Sequence, residues 1–288
     1  MRFTKLQGLG NDFVLIDGRL FESNWAELAV ALCRPHYGVG GDGLLVLEES
    51  QNADYKMRIY NPDGSEAEAC GNGLRCMVRY IASEIACQKR SFRIETLAGI
   101  RSAEVLDNGG ISNIRVGMGL PEFHAAAIPV ILEDGKGRMI DIMLGDYPLD
   151  VASERLKLSF ISMGNPHAVC FCETPVADFI LEKIGPLVEK HPIFPRGVNF
   201  EVAHILGRNQ ISMRVWERGA GETLACGSGA CAVAIAARLH GLCDDNCEVI
   251  IPGGSAYIQW SKGKEAFLSG PAEIVFRGEW LAEYGMQE

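Results

Sequence analysis

Residues 57–73 read MRIYNPDGSEAEACGNG, and residues 213–229 read MRVWERGAGETLACGSG. The two stretches align without a gap at an offset of 156, and seven of their 17 positions are identical: Met57/Met213, Arg58/Arg214, Glu66/Glu222, Ala69/Ala225, Cys70/Cys226, Gly71/Gly227 and Gly73/Gly229. A shorter match precedes them, because Gly10-Asn11 in LGNDFVLI corresponds to Gly164-Asn165 in MGNPHAVC at an offset of 154. Two matches in the same order and at nearly the same spacing indicate duplication of a unit of about 120–150 residues, an ordinary domain size.

Short runs rich in β-branched and aromatic residues occur throughout both halves and predict strands. They are Phe3–Leu6, Phe13–Asp17, Leu44–Glu48, Tyr55–Tyr60, Phe92–Thr96, Ile100–Leu106, Ile111–Val116, Leu158–Ser162, Ala168–Cys172, Glu201–Ile205, Ile211–Trp216, Glu248–Ile251 and Ala256–Trp260. The predicted helices are Trp25–Cys33, Cys70–Cys87, Val176–Lys190 and Cys226–His240. Each half is therefore expected to place many strands around one apolar helix whose first residue is the repeated cysteine.

This pattern predicts an α+β fold of two homologous, pseudo-symmetric domains, each a mixed β-sheet or barrel wrapped around a central α-helix, with the active site in the cleft between them. The turn-rich residues 107–110 (Asp-Asn-Gly-Gly) lie between two strands and predict a hairpin. The domain boundary is therefore placed near Gly117–Pro121, and a last strand, Ala272–Phe276, is expected to return to the first half. The predicted domains are residues 1–118 with 273–288, carrying Cys70, and residues 119–272, carrying Cys226.

Composition excludes several classes of function. The chain has 288 residues with 27 Lys and Arg against 37 Asp and Glu, a net charge of −10. An acidic chain without a basic run does not attract nucleic acid or an anionic membrane. The longest uncharged stretch, Thr223–Ala237, has 15 residues, fewer than the ~20 that a spanning helix needs. Without an export signal at the N-terminus, we expect a cytoplasmic protein whose ten cysteines are free thiols.

The two repeated cysteines lie in a context that favours chemistry. Each is followed by Gly-Asn-Gly or Gly-Ser-Gly and then by an apolar helix. The glycines allow a ligand close to the backbone, and the unpaired N–H groups of a first helical turn bind a carboxylate or phosphate. The same helix terminus is expected to lower the pKa of the thiol, with His167 or Glu217 as a hydrogen-bonding neighbour. A tight turn with a buried cysteine would explain one copy as well, but two copies in register favour a functional role.

Two such thiols, one from each half, suit a particular reaction. If the halves face each other across a pseudo-twofold axis, the thiols approach one small ligand from opposite sides. One thiolate then removes a proton while the other thiol protonates the opposite face. The helix termini offset the charge that develops on the ligand's carboxylate. The arrangement would invert a stereocentre next to a carboxylate.

Further motifs extend over nearly the whole chain: GLGNDFVLID, GVGGDGLLVLE, NPDGSEAEACGNGLRC, SMGNPHAV, GVNFEV, ERGAGETLACGSGACA and the PGG of residues 252–254. In this combination the sequence resembles the diaminopimelate epimerase family, whose members are isomerases independent of pyridoxal phosphate. The resemblance implies interconversion of L,L- and meso-2,6-diaminopimelate in lysine and peptidoglycan-precursor biosynthesis. It also implies a homodimer of two-domain subunits that uses no cofactor and no metal.

The resemblance assigns catalysis to Cys70 and Cys226, and tuning of the thiols to His167 and Glu217. It implies substrate binding by Asn11, Asn61, Gly71, Asn72, Asn165, Asn199, Glu217, Arg218, Gly227 and Ser228. Within that set, Glu217 would engage the substrate amine and Arg218 the distal carboxylate, for which a planar guanidinium is well suited. Taken singly, each asparagine is more often a turn or cap residue, and His167 would pass for a core histidine.

Two positions depart from the family pattern and leave alternatives open. Gly43 stands where some relatives carry a glutamine that contacts substrate, and Phe276 where some carry a tyrosine used across the dimer interface. The glycine keeps open a cofactor-independent racemase or epimerase of another amino acid, such as histidine or hydroxyproline. A third hypothesis is a cysteine-rich metal-binding or redox-sensing protein. A dinucleotide site at residues 38–43, GVGGDG, is rejected because a predicted strand, not a helix, follows it.

Overall fold

Two units of similar construction account for the chain, which a computed structural model describes over residues 1–68, 70–106, 113–131, 146–152 and 154–281. One unit is Met1–Gly117 with Ser269–Glu288, and the other is Met118–Leu268. Both combine a mixed sheet with few helices, so the α+β class expected from the sequence is confirmed. The duplication limits predicted from the sequence, 1–118 with 273–288 and 119–272, stay a prediction.

The secondary structure follows the order predicted for most of the chain. The strands are β1 (Arg2–Gly8), β2 (Asn11–Asp17), β3 (Gly43–Glu48), β4 (Tyr55–Tyr60), β5 (Glu66–Ala67), β6 (Ser91–Thr96), β7 (Gly99–Val105), β8 (Asn113–Gly119), β9 (Tyr147–Val151), β10 (Glu154–Ser162), β11 (Pro166–Phe171), β12 (Asn199–Gly207), β13 (Gln210–Glu217), β14 (Gly221–Glu222), β15 (Asn246–Ile251), β16 (Gly254–Gln259), β17 (Ala266–Pro271) and β18 (Glu273–Glu279). The α-helices are α1 (Trp25–Cys33), α2 (Gly71–Glu84), α3 (Leu181–Glu189) and α4 (Gly227–Leu239).

In the first unit, one sheet runs in the order β18-β1-β2-β3-β4-β6-β7-β8. The pairs β2–β3 and β4–β6 are parallel, and the others are antiparallel. Helix α2 contacts β18, β1, β2, β3, β4 and β7, so the sheet curls around it. Helix α1 covers the other face, where Leu44 and Val46 of β3 pack against Trp25, while Leu45 faces Gly73 of α2. Burial on both faces explains the continuous apolar run of β3.

The second unit repeats this plan. Its strands pair in the order β9-β10-β11-β12-β13-β15-β16, with β11–β12 and β13–β15 parallel. From β10 onward, antiparallel and parallel pairs alternate as they do in β1-β2-β3-β4-β6-β7. Helix α4 contacts six of these strands, β10 to β13, β15 and β16, and every residue from Gly229 to Ala237 is buried. Small side chains (Gly, Ala, Cys) in α4 allow the strands to approach it closely.

A matched pair of ion pairs supports the duplication. The Arg58 guanidinium donates to both carboxylate oxygens of Glu66, over 2.7 Å from Nε and 2.9 Å from Nη2. Arg214 binds Glu222 through the same atoms over the same two distances. Each pair joins the strand to the turn that leads to the repeated cysteine, which explains why both the arginine and the glutamate recur in the repeat.

One predicted helix is wrong. Val176–Lys190 is divided into a 3₁₀ turn at Val176–Asp178 and helix α3, because Phe179 has extended backbone angles. Arg214 Nη1 donates to the carbonyls of both Val176 and Phe179 over 3.0 Å. These carbonyls therefore bond to a side chain from β13 instead of continuing a helix, a tertiary effect that sequence periodicity cannot reveal.

Smaller corrections concern the helix ends. Cys70 and Cys226 are N-cap residues with extended backbone angles (φ −145° and −119°), and α2 and α4 begin one residue later. Helix α2 ends before the predicted Cys87, because the N–H groups of residues 85 and 86 both bond to the Ile81 carbonyl, over 3.0 and 2.8 Å. The Cys87 thiol donates to the Ser83 carbonyl over 3.1 Å.

Four strands were not predicted from the sequence: β5, β9, β14 and β17. Two of them have only two residues, and β9 and β17 each contain a proline, which argues against a strand. The last strand, β18, pairs with β1 in the first unit. The predicted turn at residues 107–110 and the first two residues of the strand predicted at Ile111–Val116 lie outside the described residues, although Val105 and Ile114 pair on either side. None of the helices in the described ranges is long and apolar enough to cross a membrane.

Candidate active site

Cys70 lies at the start of α2 in the first unit, partly exposed. Its side chain accepts the Gly73 N–H over 3.4 Å, and its thiol donates to Asn11 Oδ1 over 3.8 Å. The space behind it is filled, because a Cβ built on Gly73 would lie 3.0 Å from Leu45 and 3.5 Å from the Cys70 Cβ. The glycine two positions after Gly71 is therefore required by close packing against β3. The N–H groups of this first turn and the thiol lie at the same helix end.

A chain of hydrogen bonds holds the two asparagines beside Cys70. Buried Arg75 donates from Nη2 to Asn72 Oδ1 over 2.9 Å, and Asn72 Nδ2 donates to Asn11 Oδ1 over 3.2 Å. Asn11 Nδ2 in turn donates to Asp42 Oδ2 over 2.6 Å. A cation at one end and an anion at the other therefore fix both amide orientations. Asp42 comes from the glycine-rich GVGGDG segment and was not among the predicted site residues.

The turns before the repeated Gly-Asn dipeptides share one conformation. Gly10 has φ 81° and Gly164 has φ 95°, both in the left-handed region. An L-residue is strained there, so glycine is the residue that places the asparagine after it. This is the physical reason for the second match in the repeat.

Cys226 is the N-cap of α4 in the second unit and is 4% exposed. Its sulfur lies 3.6 Å from the Ser228 hydroxyl. Gly229 lies against it, because a Cβ on Gly229 would be 3.3 Å from the Cys226 sulfur and 2.8 Å from Glu201 Oε1. The thiol, the helix terminus and the Glu201 carboxyl are therefore in close contact.

The expected depression of the thiol pKa is wrong for Cys226. Burial raises the pKa of Cys226 well above its ordinary value, and the nearby Glu217 and Glu201 carboxyl groups raise it further whenever they are ionised. The Ser228 hydroxyl and the Gly229 N–H act to lower that pKa, as the helix-terminus argument requires, but they are outweighed. Glu217, proposed as a tuning residue, thus acts against ionisation of the Cys226 thiol.

His167 and Glu201 form a fully buried pair next to Cys226. Both side chains have no exposed surface, and His167 Nδ1 lies 2.6 Å from Glu201 Oε1. His167 Nε2 lies 2.9 Å from Asn165 Oδ1. Sequence reasoning singled out His167 and Asn165 but missed Glu201. The available signal was one acidic residue inside the apolar run VNFEVAHI of β12.

Asn199 and Arg218 lie together, but the Asn199 side chain is hydrogen-bonded to other residues of the protein. Asn199 Nδ2 donates to the Pro166 carbonyl over 3.1 Å, and its Oδ1 accepts the Arg218 N–H over 2.9 Å. Asn199 therefore holds the turn that carries Arg218. The Arg218 guanidinium is exposed and donates from Nη1 to the Arg196 carbonyl over 3.2 Å. Glu217, one residue before, accepts the Thr223 hydroxyl.

Three further predicted residues make other contacts. Asn61 Nδ2 donates to the Ser65 hydroxyl over 2.9 Å within a surface turn. Gly43 is buried at the start of β3, where a Cβ would lie 3.0 Å from the Tyr60 carbonyl, so any side chain would require a backbone shift. Phe276 on β18 is 46% exposed and packs edge-to-face on Phe3.

All ten cysteines are free thiols, as expected from the sequence. Burial raises the pKa of Cys33 and Cys170 to about 11 and that of Cys76 to about 12. These three are apolar core residues that do not ionise near neutral pH. Within the described ranges, no group of three His, Cys, Asp or Glu side chains is placed to hold a metal ion.

Solved structures define the class of fold. The chain superposes with a TM-score of 0.67 on a phenazine biosynthesis protein of the PhzF family from Bacillus anthracis, at 19% identity, covering 98% of this chain and 99% of that one. It superposes with the same TM-score on a hydroxyproline epimerase from Agrobacterium vitis, at 15% identity, covering 96% and 90%. At these identities the likeness establishes the fold alone, a two-unit architecture shared by several kinds of protein.

Sequence comparison identifies the family within that class. The model of the diaminopimelate epimerase family matches residues 3–124 and 159–275. The diaminopimelate epimerase of Carboxydothermus hydrogenoformans is 46% identical over 285 residues, covering 98% of this chain and 100% of that protein. The chain belongs to the diaminopimelate epimerase family, and the resemblance drawn from its motifs is confirmed.

Proposed function

We propose that this protein interconverts L,L- and meso-2,6-diaminopimelate, with Cys70 and Cys226 as the two acid-base groups. The observation that carries the proposal is the repeated N-cap cysteine: in a member of this family, each unit presents one thiol at the start of a glycine-rich helix. Inversion of a carbon needs a base on one face and an acid on the other. Each unit supplies one of them, and their approach to a single carbon is part of the proposal.

The proton balance of the reaction is simple. A thiolate takes the α-hydrogen of the substrate as a proton and becomes a thiol, leaving a carbanion delocalised into the α-carboxylate. The opposite thiol gives its proton to the other face of the carbon and becomes a thiolate. In the reverse direction the two sulfurs exchange roles, so that both are required in either direction.

Cys226 acts as the acid when a substrate binds while the Cys226 thiol is protonated. Its raised pKa favours the protonated state, so that Cys226 is disposed to donate a proton in the resting protein. Partly exposed Cys70 lies beside the Asn11 and Asn72 amides. The surroundings of Cys70 are therefore polar and partly exposed, whereas Cys226 is buried.

The charged groups of the substrate have matching partners in each unit. The N–H groups of Gly71-Asn72 and Gly227-Ser228 at the two helix N-termini would bind the reacting carboxylate, where charge develops in the transition state. Exposed Arg218, held by Asn199, would bind the distal carboxylate, and Glu217 the substrate amine. Asn61 and Asn165 complete the proposed substrate contacts.

A homodimer in the cytoplasm, acting in lysine and peptidoglycan-precursor biosynthesis, is part of the same proposal. The support for the dimer is the resemblance of Phe276 to an interface position and its exposure on β18. No resident cofactor is required by the proton balance, because both proton transfers are made by side chains of the chain.

The experiment that tests the substrate is a panel of amino acids incubated with the protein in deuterated water. L,L-diaminopimelate, meso-diaminopimelate, L-histidine and trans-4-hydroxy-L-proline are each scored by deuterium at the α-carbon and by formation of the epimer. We expect exchange with epimerisation for the two diaminopimelates. Turnover of hydroxyproline or histidine with no reaction of diaminopimelate would replace the proposal by the alternative that Gly43 left open.

A matched variant tests the recognition of the distal group. Arg218→Gln should raise KM for diaminopimelate, because the distal carboxylate loses its cation. A charged hydrogen bond contributes about 1.5–3 kcal/mol, which corresponds to a rise of at least about tenfold. Arg208→Gln, an exposed arginine paired with Asp244 in the same unit, is the control and should leave KM unchanged.

A further inference from the structure

A buried carboxyl group in β12 has no assigned role. Glu201 has no exposed side-chain surface, and its Oε1 lies 2.6 Å from His167 Nδ1. Its other oxygen, Oε2, is buried without a hydrogen-bond partner among the described residues. A buried acceptor that carries negative charge and lacks a donor is costly, and the neutral acid avoids most of that cost.

The surroundings of Glu201 also favour the neutral acid. Burial raises the pKa of Glu201, and the negative charge of Glu217 raises it further, while His167 lowers it. Cys226 lies on the other side of Gly229, and its thiol is uncharged when protonated. Among the described residues, the ionisable groups around this carboxyl are therefore His167, Glu217 and Cys226. Glu217 and Cys226 disfavour a carboxylate at Glu201 whenever they are negatively charged.

The hydrogen-bond partners determine where the protons lie. Asn165 Oδ1, 2.9 Å from His167 Nε2, is an acceptor only, so Nε2 carries a proton. In a neutral imidazole Nδ1 then has no proton and accepts one from its partner. A protonated Glu201 donates to Nδ1, His167 donates to Asn165 Oδ1, and the Asn165 amide nitrogen is left to donate elsewhere.

We propose that Glu201 is a neutral carboxylic acid that holds His167 in its Nε2–H tautomer and, through it, orients the Asn165 amide so that Nδ2 donates to the substrate. Glu201 is thus a positioning residue that acts at a distance from the reacting carbon. The inference rests on the proposed function only for the last step, the contact between Asn165 and substrate.

Comparison of the two units supports a dedicated role. The parallel pair Phe13–Gly43 of β2 and β3 corresponds to His167–Asn199 of β11 and β12. Two residues further along, Leu45 packs against Gly73 where Glu201 packs against Gly229. The same position in the fold is therefore filled by an apolar pair in one unit and by a His–Glu pair in the other. The fold accommodates an apolar pair at this position, so the polar pair in the second unit points to the site.

The first test is spectroscopic and independent of catalysis. In protein labelled with ¹⁵N-histidine, long-range ¹H–¹⁵N correlation spectra distinguish a neutral Nε2–H imidazole from an imidazolium with protons on both nitrogens. The His167 signals are assigned by their loss in His167→Gln. We expect the neutral Nε2–H tautomer at neutral pH in the unaltered protein. A His167 imidazolium at that pH would mean an ion pair with ionised Glu201 and would overturn the proposal.

Two substitutions at position 201 separate charge from hydrogen bonding. Glu201→Gln keeps a donor to Nδ1 and should retain the Nε2–H tautomer and a KM within about threefold of the unaltered protein. Glu201→Leu, which copies Leu45 of the other unit, removes the donor and should raise KM about tenfold, the loss of one oriented hydrogen bond. A Gln variant as impaired as the Leu variant, or a Leu variant with unchanged KM, would contradict the proposal. If the Leu variant does not fold, the spectrum of the unaltered protein decides, because it distinguishes the neutral acid from the ion pair without a substitution.

A double-substitution cycle tests whether Glu201 acts through Asn165. Asn165→Ala should raise KM, and adding Glu201→Leu to it should raise KM no further. Additive effects on KM would show that Glu201 does not act on the site through Asn165 and would contradict that step of the proposal. If diaminopimelate proves not to be a substrate, the KM measurements fail, but the tautomer of His167 still confirms or refutes the neutral acid. The two failures are thus distinguishable.

Discussion

At the scale of single residues, burial and a helix terminus have opposite effects on the pKa of Cys226. Burial and two nearby carboxyl groups raise its pKa, whereas the Ser228 hydroxyl and the Gly229 N–H lower it. The effect of a helix terminus is about 0.3–1 kcal/mol in ordinary settings, whereas desolvation of a fully buried group shifts a pKa by up to several units. A thiol at a helix N-terminus is therefore reactive only when its burial is limited.

Removing the charge of Glu217 should make Cys226 easier to ionise. Glu217 raises the pKa of Cys226 through its negative charge, so Glu217→Gln lowers that pKa, and the thiolate forms at a lower pH. The measurement is the pH dependence of Cys226 alkylation by mass spectrometry, with Cys70 in the same sample as the reference. Glu173→Gln, an exposed carboxylate of the same unit, should leave the profile unchanged. A Cys226 profile that moves to higher pH in Glu217→Gln would contradict the electrostatic account.

The lack of space at Gly229 gives a steric prediction. A Cβ there would lie 2.8 Å from Glu201 Oε1 and 3.3 Å from the Cys226 sulfur. Gly229→Ala should therefore reduce turnover at least about tenfold and lower the free energy of unfolding by about 1–3 kcal/mol, as overpacking does. Urea unfolding and steady-state kinetics measure the two effects. Gly207→Ala, where a Cβ meets nothing within 4 Å, is the control. Equal behaviour of the two variants would show that the site tolerates the extra carbon.

At the scale of elements, the repeated turn before each cysteine helix is held by an arginine. Arg58 binds Glu66, and Arg214 binds Glu222 in the same geometry. Arg214 also donates to two main-chain carbonyls, those of Val176 and Phe179. The two arginines share the geometry of this ion pair, and Arg214 additionally holds the two main-chain carbonyls.

The twin arginines should therefore differ in their contribution to stability. Arg58→Met should lower the free energy of unfolding by about 1 kcal/mol, the value for a partly exposed ion pair. Arg214→Met should cost about 2–3 kcal/mol, because the Val176 and Phe179 carbonyls each also lose one of their two donors. Urea unfolding monitored by tryptophan fluorescence measures both. Equal losses, or a larger loss for Arg58→Met, would contradict the account.

The secondary-structure elements also show which features of the fold could be predicted from the sequence. The cysteine helices and most strands were predictable because the duplication presents each pattern twice. The break before α3 was not, because the Val176 and Phe179 carbonyls are bound by Arg214 from a distant strand. For the same reason, sequence reasoning singled out Cys70, Cys226 and His167 as candidates but missed charged side chains in the hydrogen-bond networks around them. In the sequence, Arg75, Asp42 and Glu201 look like ordinary charged residues. The fold shows which of them are buried and what they bind.

At the scale of the whole molecule, the proposed homodimer depends on β18. Phe276 and Val275 are 46% and 56% exposed on this strand. Burial of such apolar surface between copies would stabilise a dimer, although Phe276 lacks the hydroxyl of a tyrosine. Phe276→Glu should place a charge at that surface and shift the protein toward monomer in sedimentation velocity. Leu206→Glu, at an apolar position of the other unit that is 50% exposed, should not change the sedimentation coefficient. A monomeric unaltered protein, or a dimer in Phe276→Glu, would remove β18 from the interface.

The central claim is that one thiol from each unit acts on the same α-carbon, and single substitutions test it most directly. Cys70→Ala, Cys226→Ala and the exposed-thiol control Cys87→Ala are each incubated with L,L-diaminopimelate in deuterated water, and meso product and α-deuterium are measured. Both site variants should lose epimerisation by about 10²–10⁴-fold, the usual contribution of a general acid or base, while Cys87→Ala turns over normally and its product carries deuterium. Normal formation of meso-diaminopimelate by either Cys70→Ala or Cys226→Ala would contradict the two-thiol account.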